Sequence, residues 1–457
     1  MPCRSPLPLR VTLLALALAA AGCGPDEAAP APAAAGPTAP VTDGSAPPDD
    51  VSDELLAQPH AKGPGRPPGR WLPVRDALAD EAGRDARIAE LEAIGYVAGS
   101  RAAQGAGGVR ALDPARVQPG LNLLVSGHAP EAVLLDASGR LLHAWSRSCR
   151  EAFPALKAAD APRYHFFRRA HLLEDGSLLA IFEGAGLVKL APDSTLLWAW
   201  PGRAHHDLEV RSDGRILTLS RTAHVVPRLV PDRPLVEDFV VELSPEGEEL
   251  RAVSLLEALE AAEGTRAVAA RANAALEAWN GDVFHANSVQ WLSAGLAGAW
   301  PLAHAGDVLL SLRNVDMLAL LDLREQRFAW SRTGAWRGQH QPELQPDGRL
   351  LLFDNACGSP RSRVLELDPA TCAVTWSWSG TEADPLWSET CGSVQGLANG
   401  NVLVVESDGG RAFEVARDGT LVWRLDSPFR AGERGEFVAT LFDCVRLPAH
   451  ATAGWLK

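Results

Sequence analysis

The chain has 457 residues and a formal net charge of -14 at pH 7, and 46% of its residues are hydrophobic. This length exceeds the usual size of one simple core, so one large repeat domain or two ordinary domains are expected. The acidic balance argues against a nucleic-acid partner, because binding phosphates requires a surplus of Lys and Arg on one face.

Residues 1–23 have the order of an export signal, in which Arg4 and Arg10 precede the apolar run "VTLLALALAAAG". "AAGC" at its end resembles a bacterial lipobox, which makes Cys23 the candidate lipidation site. Ordinary signal cleavage without lipidation is the alternative. Both interpretations predict an exported protein, periplasmic or held at the outer membrane or cell surface. Only lipidation would give it a membrane contact, through an N-terminal lipid anchor.

Two segments separate this signal from the main domain, which is predicted over 119–457. Residues 24–70 are Pro, Ala, Gly and acidic residues almost without bulky apolar side chains, so they cannot bury enough surface to offset the entropy of ordering. A disordered linker is therefore predicted there. In "RIAELEAI" apolar residues recur at helical spacing, which predicts a short helical N-terminal extension over 71–118.

A half-repeat of apolar strand, polar turn and apolar strand recurs through the main domain. It occurs as "VLLDASGRLLHAW", "LVKLAPDSTLLWAW", "VVELSPEGEELRAV", "ALLDLREQRFAW", "VLELDPATCAVTW" and "FEVARDGTLVWRL". A second hairpin pattern precedes most of them, as in "HLLEDGSLLAIF", so each unit has about four strands. About six units between Pro119 and Pro428 predict an all-β, six-bladed β-propeller, with a pair of β-sandwiches as the alternative fold.

Two further features of the domain carry predictions. The insert "LEALEAAEGTRAVAARANAALEAW" is rich in Ala and Glu, which predicts a short helical insert on one face. Because thiols of exported proteins tend to pair, one disulfide is expected among Cys357, Cys372 and Cys391, although the sequence does not determine the pairing among these three, Cys149 and Cys444. The chain contains no CxxC pair, so the cysteines do not indicate a zinc site.

The turn glycine of the first hairpin in each unit gives a common register. His206 lies eight residues before Gly214, and His340 lies eight before Gly348. In the unit between them, "FHANSVQWL" begins a strand with His285. Because the innermost strands of a propeller line its axis, the three histidines are expected to be in register and to face one another.

Polar side chains also recur seven residues after the turn glycines, as Arg221, Arg313, Asn355 and Ser407. Such a ring beside histidines favours an oxyanion ligand, because guanidinium offers a planar fork of donors and keeps its charge. Arg221 and Asn355 are therefore candidate substrate-binding residues. Three imidazoles also suit zinc, and metal binding is the alternative, but the neighbouring arginines argue against it and no metal is expected.

The remaining histidines near this register are His205, His224 and His304. All three are out of register, and a surface position is the simplest interpretation of each. His205 is nevertheless kept among the candidate substrate-binding residues because it adjoins His206.

The motifs "HHDLEV", "FHANSV", "LLSLRN" and "GQHQPELQPDGRLLLFDN" together resemble the bacterial aryl-sulfate sulfotransferases, over residues 120–430. The resemblance implies an exported six-bladed propeller enzyme that moves a sulfuryl group from an aryl sulfate to a phenol without a nucleotide donor. It implies no metal and no soluble cofactor. The partners it implies are therefore small molecules, an aryl sulfate and a phenol.

Applied residue by residue, the resemblance implies that His340 is the nucleophile and becomes sulfohistidine. It implies that His206, His285, Asn287 and Arg313 hold the sulfate oxygens and handle the proton. Two in-line transfers through a covalent intermediate would give ping-pong kinetics. Either His206 or His285, if protonated, would give its proton to the departing phenolate and later remove one from the acceptor.

The chain departs from the family pattern in two places. Gln341 follows the nucleophile where the family often has Asp, and the stretch from His285 to Arg313 is longer, which makes Arg221 an alternative to Arg313. Two other functions stay open on the sequence. One is a non-catalytic surface propeller that binds sulfated or anionic ligands, and the other is a zinc-dependent hydrolase.

Overall fold

The structure, a computed structural model, describes residue 87 and residues 98–157 and 159–456. The export signal, the linker and nearly all of the segment predicted to be helical lie outside the described residues. Antiparallel β-strand is the main secondary structure of the described chain, because short runs of alternating apolar residues are separated by turns that carry Gly, Asp or Pro.

Twenty-eight strands are described. In chain order they are β1 (Arg101–Ala102), β2 (Gly108–Leu112), β3 (Leu121–Ser126), β4 (Glu131–Leu135), β5 (Leu141–Ser146), β6 (Arg169–Leu172), β7 (Leu178–Phe182), β8 (Gly186–Leu190), β9 (Leu196–Trp200), β10 (Ala204–Val210), β11 (Ile216–Val226), β12 (Val230–Leu243), β13 (Glu249–Ser254), β14 (Ala286–Trp291), β15 (Asp307–Leu312), β16 (Met317–Asp322), β17 (Arg327–Thr333), β18 (His340–Leu344), β19 (Leu350–Asp354), β20 (Arg363–Leu367), β21 (Val374–Trp378), β22 (Ser393–Gly396), β23 (Val402–Glu406), β24 (Arg411–Val415), β25 (Leu421–Asp426), β26 (Arg430–Ala431), β27 (Phe437–Val438) and β28 (Leu441–Leu447).

Twenty-five of these strands form six blades, which confirms the predicted six-bladed β-propeller, and β1, β27 and β26 form a separate three-stranded sheet. Blades 2 to 5 are the consecutive sheets β6–β9, β10–β13, β14–β17 and β18–β21, and blade 6 is β22–β25 with β2 added at its outer edge. Blade 1 has the order β28-β3-β4-β5, so its innermost strand comes from the C-terminal end of the chain. This pairing closes the ring with a strand that lies beyond the repeats recognised in the sequence.

Side chains of the innermost strands join neighbouring blades by one repeated contact. In blades 3 to 6 the residue before the last of the inner strand accepts a backbone N–H of the next inner strand: Glu209 from Trp291 (3.1 Å), Gln290 from Leu344 (2.8 Å), Glu343 from Gly396 (2.9 Å) and Gln395 from Arg446 (2.8 Å). We call Glu209, Gln290, Glu343 and Gln395 the inner belt. It satisfies backbone donors that would otherwise be buried without partners near the axis.

Blades 1 to 3 are joined by ions instead. Arg169 lies 2.9 Å from Asp207 and 2.7 Å from Asp443, so one partly exposed guanidinium bridges the inner strands on both of its sides. Together with the inner belt, these contacts complete the circle of inner strands.

Tryptophans on the outer strands make a second repeated link between blades. The indole N–H donates to a turn carbonyl of the following blade in four places: Trp145 to Gly176, Trp198 to Pro245, Trp376 to Arg417 and Trp423 to Ala137. Each large ring therefore packs between sheets while its one polar atom is satisfied.

The helices are α1 (Cys149–Ala152), α2 (Leu255–Glu263), α3 (Thr265–Ala278) and α4 (Ala294–Gly298), with short 3₁₀ turns at Pro162–Tyr164 and Arg313–Val315. The predicted helical insert is present as α2 and α3. Ser254 begins α2 by accepting the N–H of Glu257, an N-cap that satisfies one of the orphan donors of the helix. No helix in the described part of the chain is both long and apolar enough to span a membrane.

Two expectations differ from the structure. Residues 98–118, placed in a helical extension, are extended backbone that contains β1 and β2, because β2 pairs with β25 and completes blade 6. The expected disulfide among Cys357, Cys372 and Cys391 is absent, since all five cysteines of the described chain are free thiols.

Candidate active site

The site forms where the inner strands of blades 3, 4 and 5 begin, and their backbone is irregular there. The pairing register shifts between His205 and Leu208, between Ala286 and Ser288, and between His340 and Glu343. Beside these bulges His206, His285 and Gln341 have φ of 58°, 50° and 47°. A left-handed conformation is costly for residues other than glycine, and such strain is concentrated at functional sites.

The inner strands define the register. Counting four residues back from the last residue of each, in blade order from 1 to 6, gives Asp443, Arg168, His206, Asn287, His340 and Gly392. The prediction that His206 and His340 share a position is therefore correct. The prediction for His285 is wrong, because Asn287 takes the shared position and His285 lies two residues earlier, owing to the bulge at the start of β14.

His340 is held in one orientation and one tautomer. Its Nδ1 lies 2.7 Å from Oδ1 of Asn355 and 3.0 Å from the carbonyl of Gly338. Asn355 in turn donates from Nδ2 to the carbonyls of Ser388 (2.9 Å) and Cys391 (2.8 Å), so its oxygen is the atom that faces the imidazole. Both neighbours of Nδ1 are acceptors, so Nδ1 carries the proton and Nε2 keeps its lone pair.

The environment of His340 keeps the ring neutral. The side chain is 2% exposed, and burial followed by the positive charge of Arg313 holds the pKa of His340 well below its ordinary value. Nε2 is buried and has no hydrogen-bond partner among the described residues. An unprotonated nitrogen in this state is a competent nucleophile.

Gly338 permits the close approach of the segment before the nucleophile. Its φ is 63°, and a Cβ at this position would lie 2.5 Å from Sγ of Cys357. The same Cβ would lie 4.0 Å from Nε of Arg313, which places this guanidinium against the segment that carries His340. Arg313, rather than Arg221, is therefore the arginine on the nucleophile's side of the site.

The second histidine, His206, contacts His205 in its own blade and Glu183 in the neighbouring blade 2. Its Nδ1 lies 2.8 Å from Nδ1 of His205 and 3.5 Å from Glu183, whose other oxygen accepts the N–H of His206 at 2.9 Å. Glu183 also lies 3.3 Å from Arg221. His205 is 1% exposed, so the surface interpretation of this residue is wrong, and it lies within the site.

Blade 4 contributes His285 and Asn287. The His285 ring lies 4.8 Å from the His206 ring in an edge-to-face arrangement, so these two histidines do meet as expected. Nδ1 of His285 lies 2.5 Å from Asp282. Asn287 donates from Nδ2 to the carbonyl of Gln339 at 2.8 Å, and its Oδ1 is buried without a partner in the described chain.

A pair of buried carboxyl groups adjoins these histidines. Burial and then the negative charge of Asp282 raise the pKa of Asp238 to about 7. Burial opposes ionisation of Asp282 as well, but the charge and hydrogen bond of His285 outweigh it and lower the pKa of Asp282. Asp238 is therefore the carboxyl that keeps its proton to higher pH, and Asp282 is the ionised partner of His285.

Asp238 and Asp282 escaped the sequence analysis, because nothing in the register marks them. Arg168 and Glu183 also escaped it, although the same register would have found them in blade 2. Arg168 lies eight residues before Gly176, and Glu183 lies seven after it. Arg168 is 4% exposed, its Nη2 lies 3.8 Å from Sγ of Cys391, and its charge lowers the pKa of both His206 and His340. The missed signal was the arrangement already applied to the other blades.

The remaining candidates lie at different distances from this centre. Asn355 contacts the nucleophile, whereas Gln341 and the residues after it line a separate axial cavity of about 270 Å³ to which all six inner strands contribute. His304 is 80% exposed and His224 is half-buried against Glu237, so neither belongs to the site.

Glu183, His205 and His206 are the one group among the described residues whose ligand atoms lie close enough together, within 4.8 Å, to hold a metal ion. The surroundings suit an ion poorly. Arg221 lies 3.3 Å from the carboxylate, and the two Nδ1 atoms face each other at 2.8 Å, so an ion would have to displace that contact.

The fold and the site together define a β-propeller with a neutral, buried histidine surrounded by arginine, amide and imidazole groups. A family model described as Arylsulfotransferase (ASST) matches residues 169–429, more than half of the chain. The chain therefore belongs to the arylsulfotransferase family, whose members act on small aryl substrates. No curated protein matches the sequence significantly.

The solved structures that are similar to this chain share little sequence identity with it. A protein of unknown function from Bacteroides caccae has 12% identity and a TM-score of 0.46, over 71% of this chain and 98% of that one. The β-propeller domain of Cps50 (Swd1) from Myceliophteria thermophila has 14% identity and a TM-score of 0.40, over 72% and 90%. An inactive variant of virginiamycin B lyase from Staphylococcus aureus has 6% identity and a TM-score of 0.39, over 69% and 87%. None of them bears on what this chain does.

Proposed function

We propose that this protein transfers a sulfuryl group from an aryl sulfate to a phenolic acceptor through a sulfohistidine at His340. One observation carries the proposal: Nδ1 of His340 faces two acceptors, while Nε2 is buried, unprotonated and without a partner among the described residues. A fixed neutral imidazole of this kind can attack sulfur without first losing a proton.

In the first step Nε2 of His340 forms a bond to sulfur while the bond from sulfur to the aryl oxygen breaks. The sulfuryl oxygens and the departing oxygen carry negative charge, which fixed donors must stabilise. Arg313 and Arg168 supply the positive charge that stabilises these oxygens. Each arginine, from its own blade, lowers the pKa of His340 through its charge. Asn287 uses one N–H of its amide to bind the carbonyl of Gln339, which leaves the second N–H as a donor for a sulfuryl oxygen.

In the second step the oxygen of the acceptor phenol attacks sulfur, and the bond from sulfur to Nε2 breaks. The acceptor must lose its proton as it attacks, so a base is required beside the nucleophile. His206 and His285, whose rings lie 4.8 Å apart, are the two candidates for this base. Because donor and acceptor use the same nitrogen in turn, ping-pong kinetics are expected.

The direct test is to isolate the intermediate. Incubation with 4-nitrophenyl sulfate and no acceptor should release one nitrophenolate per protein in a burst and leave one sulfuryl mass on the peptide that contains His340. Addition of phenol should then remove that mass and yield phenyl sulfate. His340→Ala should give neither burst nor mass increase while remaining folded.

The same assay separates a non-catalytic ligand-binding propeller from an enzyme. Tight binding of aryl sulfate without nitrophenolate release would overturn the proposed transfer and leave only the anion-binding role. A burst whose sulfuryl mass lies on another residue would overturn the role of His340.

A metal-dependent hydrolase is the second candidate, and the spacing of Glu183, His205 and His206 is the observation in its favour. It predicts that a chelator abolishes activity and that zinc restores it. We expect chelators to leave the transfer unchanged, because the proposed reaction takes its positive charge from arginine. Loss of transfer on chelation would favour the hydrolase.

Export and lipidation of Cys23 are part of the proposal and rest on the order of residues 1–23 alone. Expression in a bacterial host with a labelled fatty acid should label the protein, and Cys23→Ser should abolish the label. A label that persists in Cys23→Ser, or an unlabelled and unexported wild type, would contradict this assignment.

A further inference from the structure

Behind His206 a row of buried polar side chains leads from β10 to β12. Nδ1 of His206 lies 2.8 Å from Nδ1 of His205. Nε2 of His205 lies 3.3 Å from Oδ1 of Asp238, a contact that is not aligned as a hydrogen bond here and must tighten for a proton to pass, as contacts between catalytic groups often do when substrate binds. The other oxygen of Asp238 accepts the backbone N–H of Ala286 at 3.2 Å. None of the three side chains is more than 2% exposed, so the row is closed to bulk water.

The protonation of these histidines poses a chemical problem for the proposed reaction. Burial and the charge of His285 hold the pKa of His206 well below its ordinary value, and burial and the charge of Arg221 lower the pKa of His205 to about 3. Both rings are therefore neutral near pH 7. A neutral imidazole can give up one proton only when its other nitrogen receives another at the same time.

Asp238 is placed to supply that second proton. It faces His205 on β10, Arg221 directly across the β11–β12 pairing, and Asp282 and His285 from the segment before β14. Its pKa of about 7 makes a proton available near neutrality. When the proton leaves, Arg221 and His285 stabilise the resulting carboxylate.

We propose that Asp238, His205 and His206 form a proton relay that protonates the departing phenolate and deprotonates the acceptor phenol. This inference rests on the proposed sulfuryl transfer and identifies its acid and base. Asp238 and His205 are positioning residues in this scheme, because they act on the substrate only through His206.

Three protons move together in the first step. As the bond from sulfur to the aryl oxygen breaks, Nε2–H of His206 passes its proton to that oxygen, and Nδ1–H of His205 passes its proton to Nδ1 of His206. The carboxyl of Asp238 passes its proton to Nε2 of His205. Both imidazoles stay neutral, and the negative charge of the leaving group ends on Asp238. The acceptor phenol reverses each transfer as its oxygen bonds to sulfur and the bond to His340 breaks.

The variant Asp238→Asn tests the relay with little change in shape. The amide can still accept from Ala286 and donate to His205, but it has no proton to release. Nitrophenolate leaves readily without protonation, so uptake from 4-nitrophenyl sulfate should fall by less than about threefold. Uptake from phenyl sulfate or 4-methylphenyl sulfate needs the acid and should fall by about a hundredfold, the usual contribution of general acid catalysis.

A second readout follows the protons directly. In the wild type, transfer from phenyl sulfate should slow in D₂O, and its dependence on the deuterium fraction should be curved because several protons move at once. Asp238→Asn should remove the curvature. His205→Gln interrupts the row at its middle and should show the same dependence on the leaving group, so the test survives if one variant fails to fold.

Glu209→Gln is the matched control, since it makes the same chemical change in the inner belt, where Gln290 and Gln395 already serve. It should slow no donor selectively. Equal loss for good and poor leaving groups in Asp238→Asn, or no loss at all, would overturn the relay while the proposed transfer stands. A wild type that takes a sulfuryl group from no donor would overturn the transfer itself and the relay with it.

Discussion

Two positions on the same inner strands, three residues apart, behave in opposite ways. The inner belt repeats one contact from blade to blade, a side-chain oxygen accepting the N–H of the next strand, and it uses Glu and Gln interchangeably. The shared position nearer the strand start varies in chemistry from blade to blade, with an arginine at 168, an asparagine at 287 and histidines only at 206 and 340. Regular contacts hold the ring together, and irregular ones create the chemistry.

The backbone differs in the same way. The belt lies where the strand pairing is regular, whereas bulges and left-handed residues surround His206, His285 and His340. Bulges redirect side chains that a flat strand would point elsewhere. The six-fold repeat therefore supplies a rigid frame, and local departures from it bring unlike side chains to one centre.

The largest expected effect comes from removing a charge at the shared position. Arg168→Gln should lower sulfuryl transfer by about a hundredfold to a thousandfold, because a fixed donor to developing negative charge is lost. Steady-state kinetics with 4-nitrophenyl sulfate would measure it, with Arg168→Lys as the control that keeps the charge. An activity within threefold of wild type in Arg168→Gln would remove this residue from the site.

A smaller loss of activity is expected when the tautomer of His340 is no longer fixed by Asn355. Asn355→Leu leaves Nδ1 of His340 only the carbonyl of Gly338 and should lower the rate of sulfohistidine formation by about tenfold to a hundredfold, as outer partners of functional histidines typically do. Asn355→Asp keeps an oxygen beside Nδ1 and should retain more activity. Equal losses in both variants would show that packing, rather than the tautomer, matters.

In the belt, substitution should affect stability and not chemistry. Glu209→Ala leaves the N–H of Trp291 without its acceptor and should lower the free energy of unfolding by about 1 to 3 kcal/mol, measured by urea denaturation. Glu209→Gln keeps an acceptor and should be tolerated. If Glu209→Ala were as stable as Glu209→Gln, the inner belt would have no structural role.

Glu209→Gln also tests how the free energy of unfolding depends on pH. Burial raises the pKa of Glu209 to about 8, so the folded state favours the protonated acid. Stability from this group is present at low pH and lost as pH rises from the ordinary glutamate range through 8. The advantage of Glu209→Gln over wild type should therefore grow with pH, which denaturation at pH 6 and pH 9 would measure.

The smallest effect concerns the pH response of the nucleophile. Because the pKa of His340 is held well below 6.5, protonation should not remove the nucleophile in the neutral range. Uptake from 4-nitrophenyl sulfate should change by less than about twofold between pH 8 and pH 6. A decline centred near pH 6.5 in the single-turnover rate would mean that His340 is solvated or is not the nucleophile.

The sequence by itself determined the repeat, and the repeat determined the fold. Alternating apolar residues and turn glycines are local signals, and six copies of them leave few architectures that bury every sheet face. The helical insert could also be predicted from the sequence, because the spacing of its apolar residues and a serine cap indicate α2 and α3. The same register brought His206 and His340 to equivalent positions.

Only the tertiary structure decided what depends on contacts between distant segments. It placed Asn287 in the register where His285 was expected, because a bulge is set by pairing with β15 and leaves no mark in composition. It paired β28 with β3 to close the ring, and it left the five cysteines of the described chain as free thiols. The burial of Asp238 beside His205 is likewise a product of packing, since a carboxyl's proton affinity is set by its neighbours in space.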